Sequence, residues 1–398
     1  MVTAAPPTPR SAASQPAAPG FARVARAFEA RRREAFPPGE APTFALRSGG
    51  ETEVFGDGAP AFTIVANGAK GIDALSTLDV TAAAAAYLSG DVDLEGDVLA
   101  LIAARDFFTD RRPVRYLWRF VQPLLFGQVK SDKKWIATHY DYDADFYLLW
   151  LDRRHRCYSQ GIFERDDEPL EDAIRRKLDF ALDAVGAREG MRILDIGGGW
   201  GAMTEYAGKR GILATSLTIS KESEAFIQAL IEREKLPSKV LREHLFEHQP
   251  AERYDAIVNL GVTEHLPDYA RTLQKYESLL KPGGKVYLDA SSTRRKHGQT
   301  TFLEKFVYPG NGSLMCLHEY LAEVAKSPFR LEGVWDDRIS YHLTTRRWAE
   351  GLDANREEIE RRWGKDLHRK FQLYLWGASD GFLRDRNQAY RVVMSLPS

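Results

Sequence analysis

Arg192-Ile193-Leu194-Asp195-Ile196-Gly197-Gly198-Gly199-Trp200-Gly201 is the stretch that decides the fold. Ile193 to Ile196 reads as a buried strand that runs into a glycine-rich turn and then a helix. Three consecutive glycines permit positive φ and let a ligand approach the main chain closely. The helix beyond them would offer free N–H groups and the positive end of its dipole to an anionic group. Gly197, Gly199 and Ala202 nominally fit the G-x-G-x-x-A pattern of dinucleotide sites. Asp195, two residues before the first glycine, sets the turn apart from that pattern. The plainer alternative is a tight strand-to-helix turn that holds no ligand.

On either side of this stretch, strand patterns over 192–196, 212–217, 254–260 and 284–289 alternate with helical ones. That rhythm predicts a doubly wound parallel sheet. Ser220 is the expected N-cap of a helix over 220–235, with Glu222 and Glu224 in its first turn. Lys281-Pro282-Gly283-Gly284 stops a helix and turns the chain into a strand. Ligands in such sheets sit beyond the carboxyl ends of the strands. Here those ends are Asp195, Thr218, Leu260 to Glu264, and Asp289. The remainder, with Trp348, Trp363, Trp376 and a helical pattern over 353–384, reads as a helical cap.

Residues 1–20 are Ala/Pro-rich and expected to be disordered. The pattern over 21–36 is an Arg-rich amphipathic helix, with Phe21, Val24, Ala25, Phe28 and Ala35 near one face. It suits a membrane surface, or equally a helix docked on its own domain. Residues 43–110 alternate like strands around 43–50 and 61–68, then like helices around 71–75 and 81–87. The acids of 91–97 read as turn residues and helix caps, since their spacing fits no calcium loop. Over 105–135, Phe107, Phe108, Tyr116, Trp118 and Phe120 mix with Arg111, Arg112, Arg115, Arg119, Lys130, Lys133 and Lys134. A lipid headgroup interface and a solvated hinge both accommodate such a mixture. The expected organisation is a tail over 1–20, a small mixed α/β domain over 21–125, and a large α/β domain with helical cap over 126–398.

The net charge of -1 gives no reason to expect a nucleic-acid partner. Two cysteines, Cys157 and Cys316, argue against a disulfide scaffold or a zinc cluster, so no metal is expected. No apolar run approaches the roughly 20 residues needed to cross a bilayer. A cytoplasmic location with peripheral membrane contact fits these features.

Several motifs, in order, resemble the cyclopropane fatty acid synthases, S-adenosylmethionine (SAM)-dependent enzymes that act on double bonds of lipid acyl chains. Thr138-His139-Tyr140-Asp141 through Phe146-Tyr147 to Leu151-Asp152 resembles that family's HYD…FY…LD signature. Tyr158-Ser159-Gln160-Gly161-Ile162-Phe163 is similar to its Y-S-C-x-Y-F. Leu194 to Gly201 fits its L-D-[IV]-G-x-G-W-G, a form of motif I of class I SAM methyltransferases. Leu217-Thr218-Ile219-Ser220 and the segment from Arg369 to Phe382 resemble further blocks, as does Tyr87 to Asp97, while Thr263-Glu264-His265 fits the family's [FM]-E-H only in its last two residues. The resemblance implies a class I Rossmann-like methyltransferase fold and SAM as cofactor. It places Tyr158 and Ser159 at the methionine end, Gly197 and Gly199 against the cofactor, Asp195 beneath the loop, and Thr218, Ser220 and Leu260 along the rest of the site. The family's glutamine position is Ser223. His139, Tyr140 and Asp141 would belong to a covering helix.

Methyl transfer from SAM to an alkene leaves a carbocation, which must be aligned, shielded from water and stabilised. Aromatic faces can stabilise a cation, which makes Tyr158, Phe146, Tyr147, Trp150 and Tyr341 candidates. A base must then remove a proton. In the family that base is bicarbonate, held partly by a cysteine, a glutamate, a histidine and a tyrosine. Glu264 and Tyr341 fall at two of these positions, but the cysteine position is Gln160 and the histidine position is Asp289. A carboxylate there would repel an anion. The expectation is that bicarbonate binding is lost and that Asp289 or Glu264 serves as base, sharing a proton as a coupled pair. The favoured product is a methyl-branched unsaturated phospholipid acyl chain. Ring closure to a cyclopropane is the alternative, with Asp289 only capping a turn. A small-molecule methyltransferase and a non-catalytic membrane scaffold are the other readings. A reductase partner and a homodimer accompany the resemblance as expectations.

Overall fold

The computed structural model describes residues 18–37, 39–110, 142–296, 300–307 and 313–398. Residues 1–17 of the expected tail over 1–20, most of the aromatic and basic stretch over 105–135, and His139, Tyr140 and Asp141 lie outside the described residues. The chain divides into two compact units, 1–111 and 112–398.

The first unit is a four-stranded sheet with helices. Its strands are β1 (Phe44–Ser48), β2 (Glu51–Phe55), β3 (Phe62–Ala66) and β4 (Val92–Gly96), in the order β2-β1-β3-β4. β1 runs parallel to β3 and antiparallel to β2. The sequence reading overlooked β2 and β4. β2 is an edge strand whose first four residues are all exposed, so it lacks the inward alternation that marks a strand. The acids of 91–97 divide between two roles. Val92–Gly96 pairs with β3, and Asp97 accepts hydrogen bonds from the amides of Leu99 and Ala100 to cap the next helix.

The helix Phe21–Ala35 buries Phe21, Val24, Ala25 and Phe28. Phe28 is fully buried, with its ring 4.9 Å from Phe107 and 5.9 Å from Phe55. The apolar stripe is therefore used in this unit's own core, and Arg23, Arg26 and Arg33 face outward. Of the two readings of this helix, docking on its own domain is the one the packing realises. Phe28→Ala should cost about 3–5 kcal/mol, the range for emptying a buried aromatic site. Chemical denaturation followed by tyrosine and tryptophan fluorescence measures this.

The second unit is built on β5 (Arg192–Ile196), β6 (Leu213–Thr218), β7 (Lys239–Arg242), β8 (Tyr254–Leu260), β9 (Leu280–Ser292), β10 (Arg330–Asp336) and β11 (Gln388–Ser395). The order is β10-β11-β9-β8-β5-β6-β7. β5 to β9 are parallel, and β11 runs antiparallel between β9 and β10. Parallel strands buried on both faces need continuous apolar runs, and Ile193, Leu194, Ile257 and Leu288 are all fully buried. The segment Lys281 to Gly284 is absorbed into the start of β9, with a shift of register against β8.

The region beyond β9 is more than a helical cap. Helices Arg338–Ala354, Arg356–Trp363 and Lys365–Leu383 do pack on one another. β10 and β11, which flank them in sequence, complete the sheet. β10 escaped notice because Gly333 and an irregular register interrupt its pattern.

Candidate active site

At the carboxyl ends of the parallel strands lies a cleft of about 1140 Å³, counted to its open mouth. Its wall includes Tyr158, Ser159, Asp195, Gly197, Gly199, Thr218, Ser220 and Leu260. All eight residues that the resemblance assigned to a cofactor thus stand around one space.

The glycine loop is held by its own backbone. The amides of Gly197 and Gly198 both donate to the Leu217 carbonyl, at 2.9 and 2.8 Å. Gly197 has φ +79°, and a Cβ there would sit 2.2 Å from Cγ2 of Val262, another wall residue. No side chain fits this turn without displacing Val262. The helix that follows, Ala202–Gly208, is only two turns long. Ser220 caps helix Lys221–Glu234 by accepting from the Ser223 amide, and the Ser223 hydroxyl donates to the Gly199 carbonyl at 2.6 Å. Ser223 thus braces the loop from the wall position where the family has glutamine. Asp195, fully buried, accepts from Ser216 at 2.7 Å. Burial pushes its carboxyl up to about 6, against the pull of that hydrogen bond.

Tyr158 also belongs to an aromatic cluster. Its ring lies 5.5 Å from Tyr147, 5.4 Å from Trp150 and 5.2 Å from Trp348. Phe146 packs on Tyr147 and Trp150. Tyr341 stacks on Phe382 and edges Trp348. Of the five aromatic candidates, Tyr158 alone is among the cleft-lining residues.

Gln160, Glu264, Asp289 and Tyr341 are not among the residues that line the cleft. Glu264 accepts from both the amide and the hydroxyl of Ser291, at 2.7 and 2.6 Å. Burial pushes its carboxyl up to about 7 against those bonds, and the charge of Asp289 adds to the rise. Gln160 donates to Asp337 at 2.6 Å, and Asp337 in turn accepts from Arg391 at 2.6 Å.

Asp289 is not the uncompensated charge that the sequence suggested. Lys177, on helix Leu170–Ala184, is fully buried with its Nζ 3.7 Å from Asp289 Oδ2. The same ammonium donates to Ser159 Oγ at 2.8 Å and to Cys157 Sγ at 2.9 Å. Burial raises the Asp289 carboxyl, while Lys177, Ser159 and Arg391 hold its charged form. Burial opposes the Lys177 charge, yet Cys157 and Asp289 keep its pKa above the ordinary value. Sequence reading missed Lys177. The signal was present, since it falls on the apolar stripe of Ala173, Ile174, Leu178 and Ala181.

Glu264 gives a pH prediction. Its carboxyl holds a proton to about 7 when folded and to the ordinary 4.5 when unfolded. Stability from this group is complete below about 4.5 and is lost as pH rises through about 7. Glu264→Gln should flatten the pH dependence of unfolding across that window. Denaturation midpoints from pH 5 to 8 check it, and an unchanged slope contradicts it.

This strand order, glycine loop and cleft make the fold that of the class I SAM methyltransferases. Residues 128–392 match the family model described as mycolic acid cyclopropane synthetase, and the chain belongs to that family. Among curated relatives, a sphingolipid C9-methyltransferase of Candida albicans is 24% identical over 331 residues, covering 78% of this chain and 64% of that protein. The chain therefore spans less than two thirds of that relative. Cyclopropane mycolic acid synthase 3 of Mycobacterium tuberculosis is 29% identical over 268 residues, covering 62% of this chain and 91% of that protein. Among solved structures, the mycolic acid cyclopropane synthase CmaA1 complexed with SAH and CTAB superposes with a TM-score of 0.62 at 25% identity, covering 66% of this chain and 98% of that one.

Proposed function

We propose that the chain is a SAM-dependent lipid methyltransferase that adds a one-carbon unit to the double bond of an unsaturated acyl chain. The observation that carries this reading is the cleft, in which the glycine loop, Tyr158, Ser159, Thr218, Ser220 and Leu260 converge. Gly197 and Gly199, both at positive φ on the cleft wall, leave main chain bare of side chains there, as close approach of a cofactor needs. The SAH in the CmaA1 complex supports SAM as the occupant. SAM would supply an electrophilic methyl on a cationic sulfur. The chain's own residues would do the rest. Main chain at Gly197 and Gly199 binds, Asp195 and Ser223 brace the loop, and Tyr158 with the aromatics behind it screens water and faces the developing cation.

The favoured product is a methyl-branched unsaturated chain. Its support is that Gln160, at the family's cysteine position, is engaged by Asp337, and that Glu264 and Asp289 are buried carboxylates at two further family positions, where either could serve as base. The family description and the relative from Mycobacterium tuberculosis favour ring closure as the second reading. The reading extends to phospholipid substrates, a cytoplasmic enzyme held peripherally on a bilayer, a reductase that acts on the product, and a homodimer. Among the described residues no helix is long and apolar enough to cross a membrane.

Vesicles of unsaturated or of saturated phospholipid, and a panel of soluble amines, would each be incubated with the protein and methyl-labelled SAM. Label is expected only in unsaturated acyl chains. Label in the amines, or none anywhere, contradicts the reading.

A further inference from the structure

The wall of the cleft is made of stretches far apart in sequence, and Arg156 ties two of them together. Arg156 and Trp200 are both among the residues that line it. Arg156 directly precedes Cys157, Tyr158 and Ser159, while Trp200 stands at the end of the glycine loop, just before helix Ala202–Gly208. Neither segment lies in a strand, so no ladder of backbone hydrogen bonds fixes their spacing. The chain reaches Arg156 through a tight turn anchored on the buried Asp152. Three successive amides converge there. Those of His155 and Cys157 donate to the two carboxylate oxygens of Asp152 at 2.5 and 2.8 Å, and that of Arg156 donates to its carbonyl at 3.1 Å.

Arg156 has φ +58°, a left-handed backbone that is strained for a residue with a long side chain. Such strain persists only where the surroundings over-determine it, and it clusters at functional segments. Held this way, the side chain reaches the loop and the helix. Its Nε donates to the Trp200 carbonyl at 3.3 Å, Nη1 donates to the Arg154 carbonyl at 3.1 Å, and Nη2 pairs with the Glu205 carboxylate. The side chains of Arg156 and Glu205 are each 14% exposed, so solvent screens the pair little. Burial works against the Glu205 charge, yet the bonds from Lys209 and Arg156 hold its carboxyl below the ordinary range. His155 adds an edge contact with Tyr206 on the same helix, the ring centres 5.4 Å apart.

We propose that Arg156 is a positioning residue for the cofactor: paired with Glu205 and bonded to Trp200, it locks the Tyr158–Ser159 segment against the glycine loop and so shapes the end of the cleft that takes the amino-acid half of SAM. The inference rests on the SAM reading of the cleft and on Tyr158 and Ser159 standing at the methionine end. Thr218, Ser220 and Leu260 belong to other segments of the wall. Releasing the tie therefore acts on the amino-acid half of a ligand more than on its nucleoside.

The test is calorimetric titration of the full chain with two ligands. One is SAH. The other is 5′-methylthioadenosine, which shares the nucleoside and thioether of SAH but lacks its amino-acid half. Arg156→Met should lower the ratio of SAH to methylthioadenosine affinity by about tenfold, the scale of losing hydrogen bonds to a charged group. Glu205→Ala should lower it in the same direction, because the guanidinium then loses its anchor. Arg156→Lys should restore only part of the ratio, since a single ammonium can meet Glu205 but lacks the planar fork that also reaches Trp200. Should Arg156→Met fail to fold, Arg156→Gly decides, because glycine takes φ +58° without strain. Equal weakening of both ligands, or none, would mark a merely structural arginine and overturn the proposal. A ratio lowered by Arg156→Met but untouched by Glu205→Ala would mean that Arg156 acts without the ion pair, and would overturn the tie. A wild-type chain that binds neither ligand sinks the underlying cofactor reading instead, and the two failures are thereby told apart.

Discussion

Gly197→Val is expected to weaken SAH binding by more than 100-fold, which is about 3 kcal/mol or more. Two physical effects act together. The residue sits at φ +79°, a conformation strained for a β-branched side chain. Its Cβ would also lie 2.2 Å from Cγ2 of Val262, a neighbour on the cleft wall, so the turn or Val262 must shift. That shift would reshape the wall that a cofactor would contact. Gly197→Ala should move in the same direction with a smaller loss. Calorimetric titration with SAH reads the effect, and a thermal melt beside it separates lost binding from lost folding. Affinity within threefold of wild type would remove the glycine loop from the cofactor site.

The second large effect is on stability. Lys177→Met should cost about 3–5 kcal/mol, the range for leaving one partner of a buried ion pair unpaired. Lys177 and Asp289 are both about fully buried, with side-chain exposures of 0% and 1%, so water cannot replace the lost partner. Combining Lys177→Met with Asp289→Asn should recover most of the loss, because the orphaned charge is then gone. A double variant as unstable as the sum of the two single ones would mean the pair does not act as a unit. Urea unfolding of the four proteins closes this cycle.

Much of the site was legible because its chemistry is local. A strand, a run of glycines and a capping serine lie within thirty residues of one another, and Ser220 caps where the sequence placed it. Tyr147 and Trp150, which pack on Tyr158, were also readable beside it, whereas Trp348 was read only as part of the cap. What stayed hidden is non-local. β11 joins the sheet only after three helices intervene, and nothing in its own eight residues says which strand it will pair with. The charge on Asp289 looked repulsive because its counter-ion comes from a helix far away in sequence. The arginine-rich helix at 21–35 was ambiguous for the opposite reason. An apolar stripe reads the same whether it meets a bilayer or its own core, and here Phe28 meets Phe44, Phe55 and Phe107.

The most direct measurement is the isotope content of acyl chains in a host that makes unsaturated phospholipids, has no cyclopropane synthase of its own, and is fed methyl-deuterated methionine while expressing this chain. A methyl branch keeps all the deuterium of the transferred group, whereas ring closure surrenders one deuteron from it. Acyl chains one carbon heavier are expected, which retain three deuterons and whose double bond takes up hydrogen under mild reduction. Chains that retain two deuterons and resist reduction would contradict the branched product, and chains with no added carbon would contradict lipid methyl transfer itself.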